Sequence, residues 1–123
     1  MTNPVLPTGV DHVAINVLDV PGGITFYTET IGLVQNFTRP DFGFPGAWLD
    51  AANGQQVHLI EAPVPGNVGQ HFALAFEDLG AAVEELRARG LEVSDPAEVG
   101  STGRKQAFTT DPWGNTIELH QRP

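Results

Sequence analysis

Four histidines, His12, His58, His71 and His120, and the carboxylate of Glu118 are the residues of this sequence with the clearest capacity for chemistry. The chain has no cysteine, which excludes disulfides and thiolate chemistry. A metal centre would therefore draw on His, Asp, Glu, backbone or water. Imidazole combined with carboxylate suits Zn, Ni, Mn or Fe(II) and does not choose among them. A lone histidine on a half-buried strand is ordinarily a hydrogen-bonded structural residue, so the argument for a site depends on where these side chains point.

Successive side chains of a strand face opposite ways. Four segments separate cleanly on that rule. One face carries Val13, Ile15 and Val17; Val57 and Leu59; Phe72, Leu74 and Phe76; and Ile117 and Leu119. The other carries His12, Ala14 and Asn16; His58 and Ile60; His71, Ala73 and Ala75; and Thr116, Glu118 and His120. The apolar face is expected under helices, and the small, polar face is expected to line a cavity. Glu61 falls on the helix side and is expected to be solvated.

The elements that position these residues occur twice. Residues 11–19 read as a strand, 21–31 as a helix stopped at Gly32, and 33–38, 46–50 and 56–61 as short strands. The second half repeats the order: a strand at 70–77, a helix at 79–89 capped by Asp78 and ended by Gly90, then strands near 91–94, 104–110 and 115–121. Without gaps, His12–Asp19 overlays His71–Asp78, Ala47–Gly54 overlays Ala107–Gly114, and Val57–Leu59 overlays Ile117–Leu119. Internal duplication explains this order better than chance. It makes His12 equivalent to His71 and His58 equivalent to Glu118. Two pseudo-symmetric units then bring His12, His71 and Glu118 to one divalent ion, with His58 as a further ligand or an acid–base group. His120, two residues past Glu118, reads as an accessory or exposed side chain. Trp48 and Phe108 are also equivalent; core packing is the ordinary role of such residues, and a substrate platform is the alternative for Trp48.

Composition narrows the partners. At 123 residues, 41% hydrophobic and 17% charged, the chain fits one soluble α+β domain, with module one at about 9–62 and module two at about 68–121. A net charge of −9 with six basic residues excludes a nucleic-acid-binding face. Arg39, Arg104 and Lys105 are the cations placed to meet a small anionic substrate, although solvated charge is the ordinary role of Arg104 and Lys105. No apolar run approaches the roughly 20 residues of a membrane span, and residues 1–10 lack the basic and apolar regions of a signal peptide. A cytoplasmic location follows by elimination only.

The run Asp11–Asp19, with Phe26-Tyr27 and Ile31-Gly32-Leu33, resembles the opening of the vicinal oxygen chelate superfamily. Gly69–Ala75 resembles its fifth strand and Asp111–Leu119 its closing strand, so the likeness covers about residues 9–121. The resemblance implies tandem βαβββ modules forming a curved mixed sheet around a cavity, one divalent metal ion per site and a homodimer. It places the first-strand ligand at His12, the fifth-strand ligand at His71 and the last-strand ligand at Glu118. In glyoxalase I a glutamate stands where His58 stands here. The implied activity is a metal-dependent lyase or isomerase of glyoxalase type, working on a small oxygen-chelating substrate through an enolate or enediolate. Glu118 or His58 would handle the proton, with Arg104, Arg39 and Trp48 touching substrate. Two alternatives stand beside it: an Fe(II) extradiol-type dioxygenase using His12, His71 and Glu118, and a non-catalytic, bleomycin-resistance-like drug-binding protein.

Overall fold

The computed structural model describes residues 4–123, so Met1–Asn3, part of the stretch read for a leader, lie outside the described residues. Module one runs β1 (His12–Val17), α1 (Val20–Thr25) continuing as a π-helical run over Phe26–Ile31, β2 (Val34–Asn36), β3 (Gly46–Asp50) and β4 (Gln56–Glu61). Module two runs β5 (Phe72–Ala75), α2 (Leu79–Ala88), β6 (Ala97–Glu98), β7 (Lys105–Thr110) and β8 (Thr116–Gln121). Each module forms its own four-stranded mixed sheet. The orders are β1-β4-β3-β2 and β5-β8-β7-β6, with the β1–β4 and β5–β8 pairs parallel and the others antiparallel. No helix of the described residues is long and apolar enough to cross a membrane.

The ladder registers show how closely the modules correspond. Ala14 stands opposite His58 as Ala73 stands opposite Glu118, and Trp48 opposite His58 as Phe108 opposite Glu118. The gap-free alignment of the two halves is therefore also an alignment of strand positions.

Each helix packs on the apolar face its sheet offers. Leu79, Val83 and Leu86 of α2 recur at helical spacing and are buried with Phe72, Ala107, Ile117 and Leu119. The Asp78 side chain accepts from Ala81 N at 3.0 Å at the start of this helix. At its end, Gly90 takes a left-handed φ of 95° and Leu91 N bonds back to Leu86 O. In module one, α1 lies so close to its sheet that a Cβ on Gly23 would stand 2.9 Å from Leu59 Cδ1. Glycine at this point permits the contact. The Thr28 hydroxyl donates to Ile24 O at 2.7 Å, competing for an acceptor of the next turn where the helix widens. Glu61, on the helix side, is exposed and its Oε1 accepts from Val20 N at the start of α1.

The turn Asp111–Asn115 fastens the modules together. Buried Tyr27 donates to Asp111 Oδ2 at 2.7 Å, the same carboxylate accepts from Trp113 N and Asn115 N, and Asn115 Nδ2 reaches Asn16 O in β1.

Three strands differ clearly from expectation, and the first, read over 70–77, spans only Phe72–Ala75 and leaves His71 just before it. The strand expected near 91–94 does not form. Ser94 makes one backbone bond to Phe108 O while its Oγ accepts from Phe108 N, so a side chain replaces the continuing ladder. Pairing with β7 passes instead to Ala97–Glu98, beyond Pro96. The strand expected over 33–38 is limited to three residues, because the Asn36 side-chain oxygen accepts from Thr38 N and Thr38 Oγ1 and turns the chain.

Candidate metal centre

The expected site residues form two groups, one at the polar face of each sheet, with His71 immediately before β5. On the first sheet, His12 at the start of β1 stacks on His58 of β4, with centroids 3.9 Å apart and planes 16° apart. Trp48 of β3 stacks on His58 at 4.8 Å and 13°. Trp48 thus lies half-buried on the polar face, outside the core, which overturns core packing as its role. Its neighbours Ala47 and Leu49 take the buried positions.

Hydrogen bonds settle which nitrogens of this group are free. Asn36 Nδ2 donates to both oxygens of Asp50, and Gln56 Nε2 donates to Asp50 Oδ1 at 2.8 Å. Gln56 therefore presents its Oε1 to His58 Nε2, 2.7 Å away. His58 is protonated at Nε2, and Nδ1 carries the lone pair. His12 Nδ1 lies 2.8 Å from Asp11 Oδ2, which leaves its Nε2 outermost. Burial and the nearby charge of His12 lower the His58 pKa, with Arg39 adding to the effect and Asp11 opposing it.

On the second sheet, His71 Nε2 lies 3.2 Å from Glu118 Oε1 and its Nδ1 donates to Gly69 O at 3.0 Å. Phe108 stands edge-on to His71 at 5.8 Å. The other oxygen of Glu118 accepts from His120 Nδ1 at 2.6 Å. Arg104 Nη1 donates to His120 Nε2 at 3.1 Å, and because arginine only donates, His120 must carry its proton on Nδ1. The result is a chain from Arg104 through His120 to Glu118 that turns Oε1 toward His71. The bond to Gly69 is the first cause raising the His71 pKa; Glu118 adds to it and desolvation opposes it.

The donor chemistry of this second group fits a divalent ion. Two donors each about 2.1 Å from one ion lie about 3 Å from each other, and His71 Nε2 and Glu118 Oε1 have that separation. The Gly69 carbonyl on the far nitrogen is the kind of outer partner that orients a ligating imidazole. Among the described residues of one chain, however, no group of three or more His, Cys, Asp or Glu is placed to hold a metal. His12 and His58 stay together on one sheet, and His71 and Glu118 on the other. Between the modules runs a groove of about 270 Å³ lined by residues 13–16 of β1 and by Gln70, His71 and Phe72.

The remaining expected residues divide. Arg104 acts on His120, and Lys105 is exposed on β7. Arg39 is folded into the loop before β3: Nη2 donates to Phe44 O at 3.2 Å, and its guanidinium carbon lies 5.0 and 5.2 Å from the Phe42 and Phe44 rings. Sequence reasoning missed Gln56, Asp50 and Asp11. The available signal was alternation, which places Gln56, two residues before His58, on the same face.

Comparison with known proteins agrees with this architecture. The Glyoxalase/Bleomycin resistance protein/Dioxygenase superfamily model matches residues 9–119. The chain is 32% identical to the lactoylglutathione lyase GLX1 of Arabidopsis thaliana, over 90% of this chain and 43% of that protein. It spans less than half the length of the plant relatives it matches. To the lactoylglutathione lyase of Haemophilus influenzae it is 29% identical, over 88% of each chain. The crystal structure of TnmS3, an antibiotic binding protein from Streptomyces sp. CB03234, superposes with a TM-score of 0.83 at 24% identity, covering 98% of this chain and 100% of that one. With its duplicated βαβββ modules and a family match across nearly its whole length, the chain belongs to the Glyoxalase/Bleomycin resistance protein/Dioxygenase superfamily.

Proposed function

We propose that the chain is a divalent-metal-dependent lyase or isomerase of glyoxalase type, working as a homodimer on a small substrate with two vicinal oxygens. Its ligands would be His12 and His58 from one copy and His71 and Glu118 from the other. The observation that carries this reading is the His71–Glu118 pair, whose donor atoms stand at the spacing of a shared ion while outer hydrogen bonds fix both side chains. The relatives bearing the name lactoylglutathione lyase support the same class. The split of four donors between two sheets supports a second copy, since one chain presents two donors at each place.

The ion, when bound, supplies Lewis acidity to the substrate oxygens. The chain's own groups do the rest. Glu118 is held through Oε2 by His120, so Oε1 is the oxygen it offers: a ligand at rest, which once released would take a proton from a carbon beside the chelating oxygens and return it to the neighbouring carbon. His58 has one free lone pair, at Nδ1, so it serves either as the fourth ligand or, in a site with three protein ligands, as the group that carries the same proton, its lowered pKa keeping the imidazole neutral near pH 7.

Metal uptake should depend on pH with a definite sign. A cation at His71 Nε2 displaces a proton, and the raised pKa of His71 makes that proton harder to remove. Affinity for zinc is expected to weaken as pH falls, beginning above the ordinary titration range of histidine. Titrating the protein with zinc from mildly alkaline to mildly acidic buffer measures this. Elemental analysis of protein purified without added metal, followed by a hemithioacetal isomerisation assay, tests the assignment as a whole. Bound metal with isomerase turnover supports it. Turnover with iron alone and consumption of oxygen assigns the dioxygenase alternative, and failure to take up any divalent ion assigns the drug-binding one.

A further inference from the structure

The loop before β3 exposes aromatic rings where a surface ordinarily carries polar groups. Phe37, Phe42 and Phe44 are 84%, 52% and 45% exposed. Two of them continue the aromatic arrangement of the site. Phe44 stacks with Phe42 at 5.9 Å, Phe42 lies 6.4 Å from Trp48, Trp48 stacks on His58, and His58 on His12. A row of five rings therefore runs from solvent to the imidazoles of module one.

The outer end of this row is organised before any ligand arrives. Arg39 lies over both phenylalanine rings and donates to Phe44 O. Asp41 Oδ1 accepts from Gly43 N at 2.8 Å, and Pro40 and Pro45 bracket the segment. Rings held in this way offer stacking area at low entropic cost.

Charge points to the same kind of ligand. The chain carries −9 with six basic residues. Arg87 is bound to Val93 O and Asp95, Arg89 to Glu85 and Thr30 O, and Arg104 to His120, while Arg39 gives part of its guanidinium to its own loop. Lys105 and Arg122 belong to the second sheet and the tail. A substrate with two carboxylates would meet an acidic protein and, among the described residues, one guanidinium beside the ring row, that of Arg39, with exposed Lys105 on the sheet a second copy would bring to the site.

We infer that the substrate is an uncharged aryl compound, its planar ring lying along the Phe42–Trp48 side of this row and its paired oxygens directed toward His58. The oxygen-chelating half of this statement rests on the metal-site reading above; the aryl half rests on the rings.

The two halves can be tested separately by titrating the whole protein, metal-free and zinc-loaded, and following tryptophan fluorescence and heat. Acetophenone, which has the ring but one oxygen, is expected to bind both forms. 2-Hydroxyacetophenone is expected to bind the zinc-loaded form about 10- to 100-fold more tightly than hydroxyacetone, the effect of one stacked ring, and more tightly than S-methylglutathione. Trp48→Ala and the exposed-loop variant Phe42→Ala should each reduce the aryl preference, and Trp48→Phe should retain it. Zinc uptake without any aryl preference would overturn the inference and leave the metal reading standing. Acetophenone binding in a protein that takes up no metal would do the reverse. S-methylglutathione binding as tightly as the aryl ketone, with Trp48→Ala indifferent, would overturn it as well. Absence of aryl binding together with loss of the dimer in Phe42→Ser would also overturn it, assigning the loop to a subunit contact.

Discussion

Glu118→Ala is expected to lower turnover by about 10²- to 10⁴-fold, the range for removing a positioned acid–base group, and to lose the divalent ion as well. Both effects follow from the position of the carboxylate. Glu118 is buried, 9% exposed, and is kept in place by three polar side chains, His71, His120 and, through His120, Arg104. Its removal deletes the one anionic donor of the four and strands His71 Nε2 and His120 Nδ1 without their acceptor. Glu118→Gln keeps the shape but not the charge or the basicity. It should resemble the alanine variant in turnover while holding the fold better. Parallel measurement of kcat and bound metal separates the two losses; full turnover in either variant would sink the assignment.

Leu59→Ala should have the largest effect on stability, about 2–5 kcal/mol, as is usual when a leucine is truncated in a packed core. Leu59 is 1% exposed, and its Cδ1 stands where a Cβ on Gly23 would come within 2.9 Å. The space left by truncation lies between a helix with no side chain at Gly23 and a strand pinned on both edges by β1 and β3, so neither neighbour can readily collapse into it. Out of a total of about 5–15 kcal/mol for a domain of this class, that is a large fraction. Urea unfolding measures it as a lowered midpoint with an unchanged slope. A midpoint shift worth less than about 1 kcal/mol would show that the α1–β4 contact is not a principal support of module one.

Much of this architecture was legible in the sequence because strand alternation and helix caps act locally. Val57 and Leu59 go down while His58 goes up, and Asp78 and Gly90 bound α2, all as their residue types dictate. The duplicated order carried over to the ladder, where His58 and Glu118 occupy matching positions. What alternation cannot convey is distance between sheets. It gives the face of His12 and of His71, but which donors meet depends on how modules pack, within a chain or between copies. Trp48 shows a second limit. Size and hydrophobicity argued for the core, yet the period-two pattern through Ala47 and Leu49 put it beside His58, and the pattern prevailed. Ser94 shows a third, since a single hydroxyl replacing one ladder bond was enough to end the strand expected near 91–94.

The central claim, that the ion site takes His12 and His58 from one chain and His71 and Glu118 from another, is tested most directly by mixing two inactive variants. His12→Ala and Glu118→Ala, each inactive by itself, should together recover about a quarter of wild-type turnover when co-expressed. Random pairing makes half of the dimers mixed, and one of the two sites in each mixed dimer is then intact. Mixed dimers that form and stay as inactive as their parents would contradict the shared site.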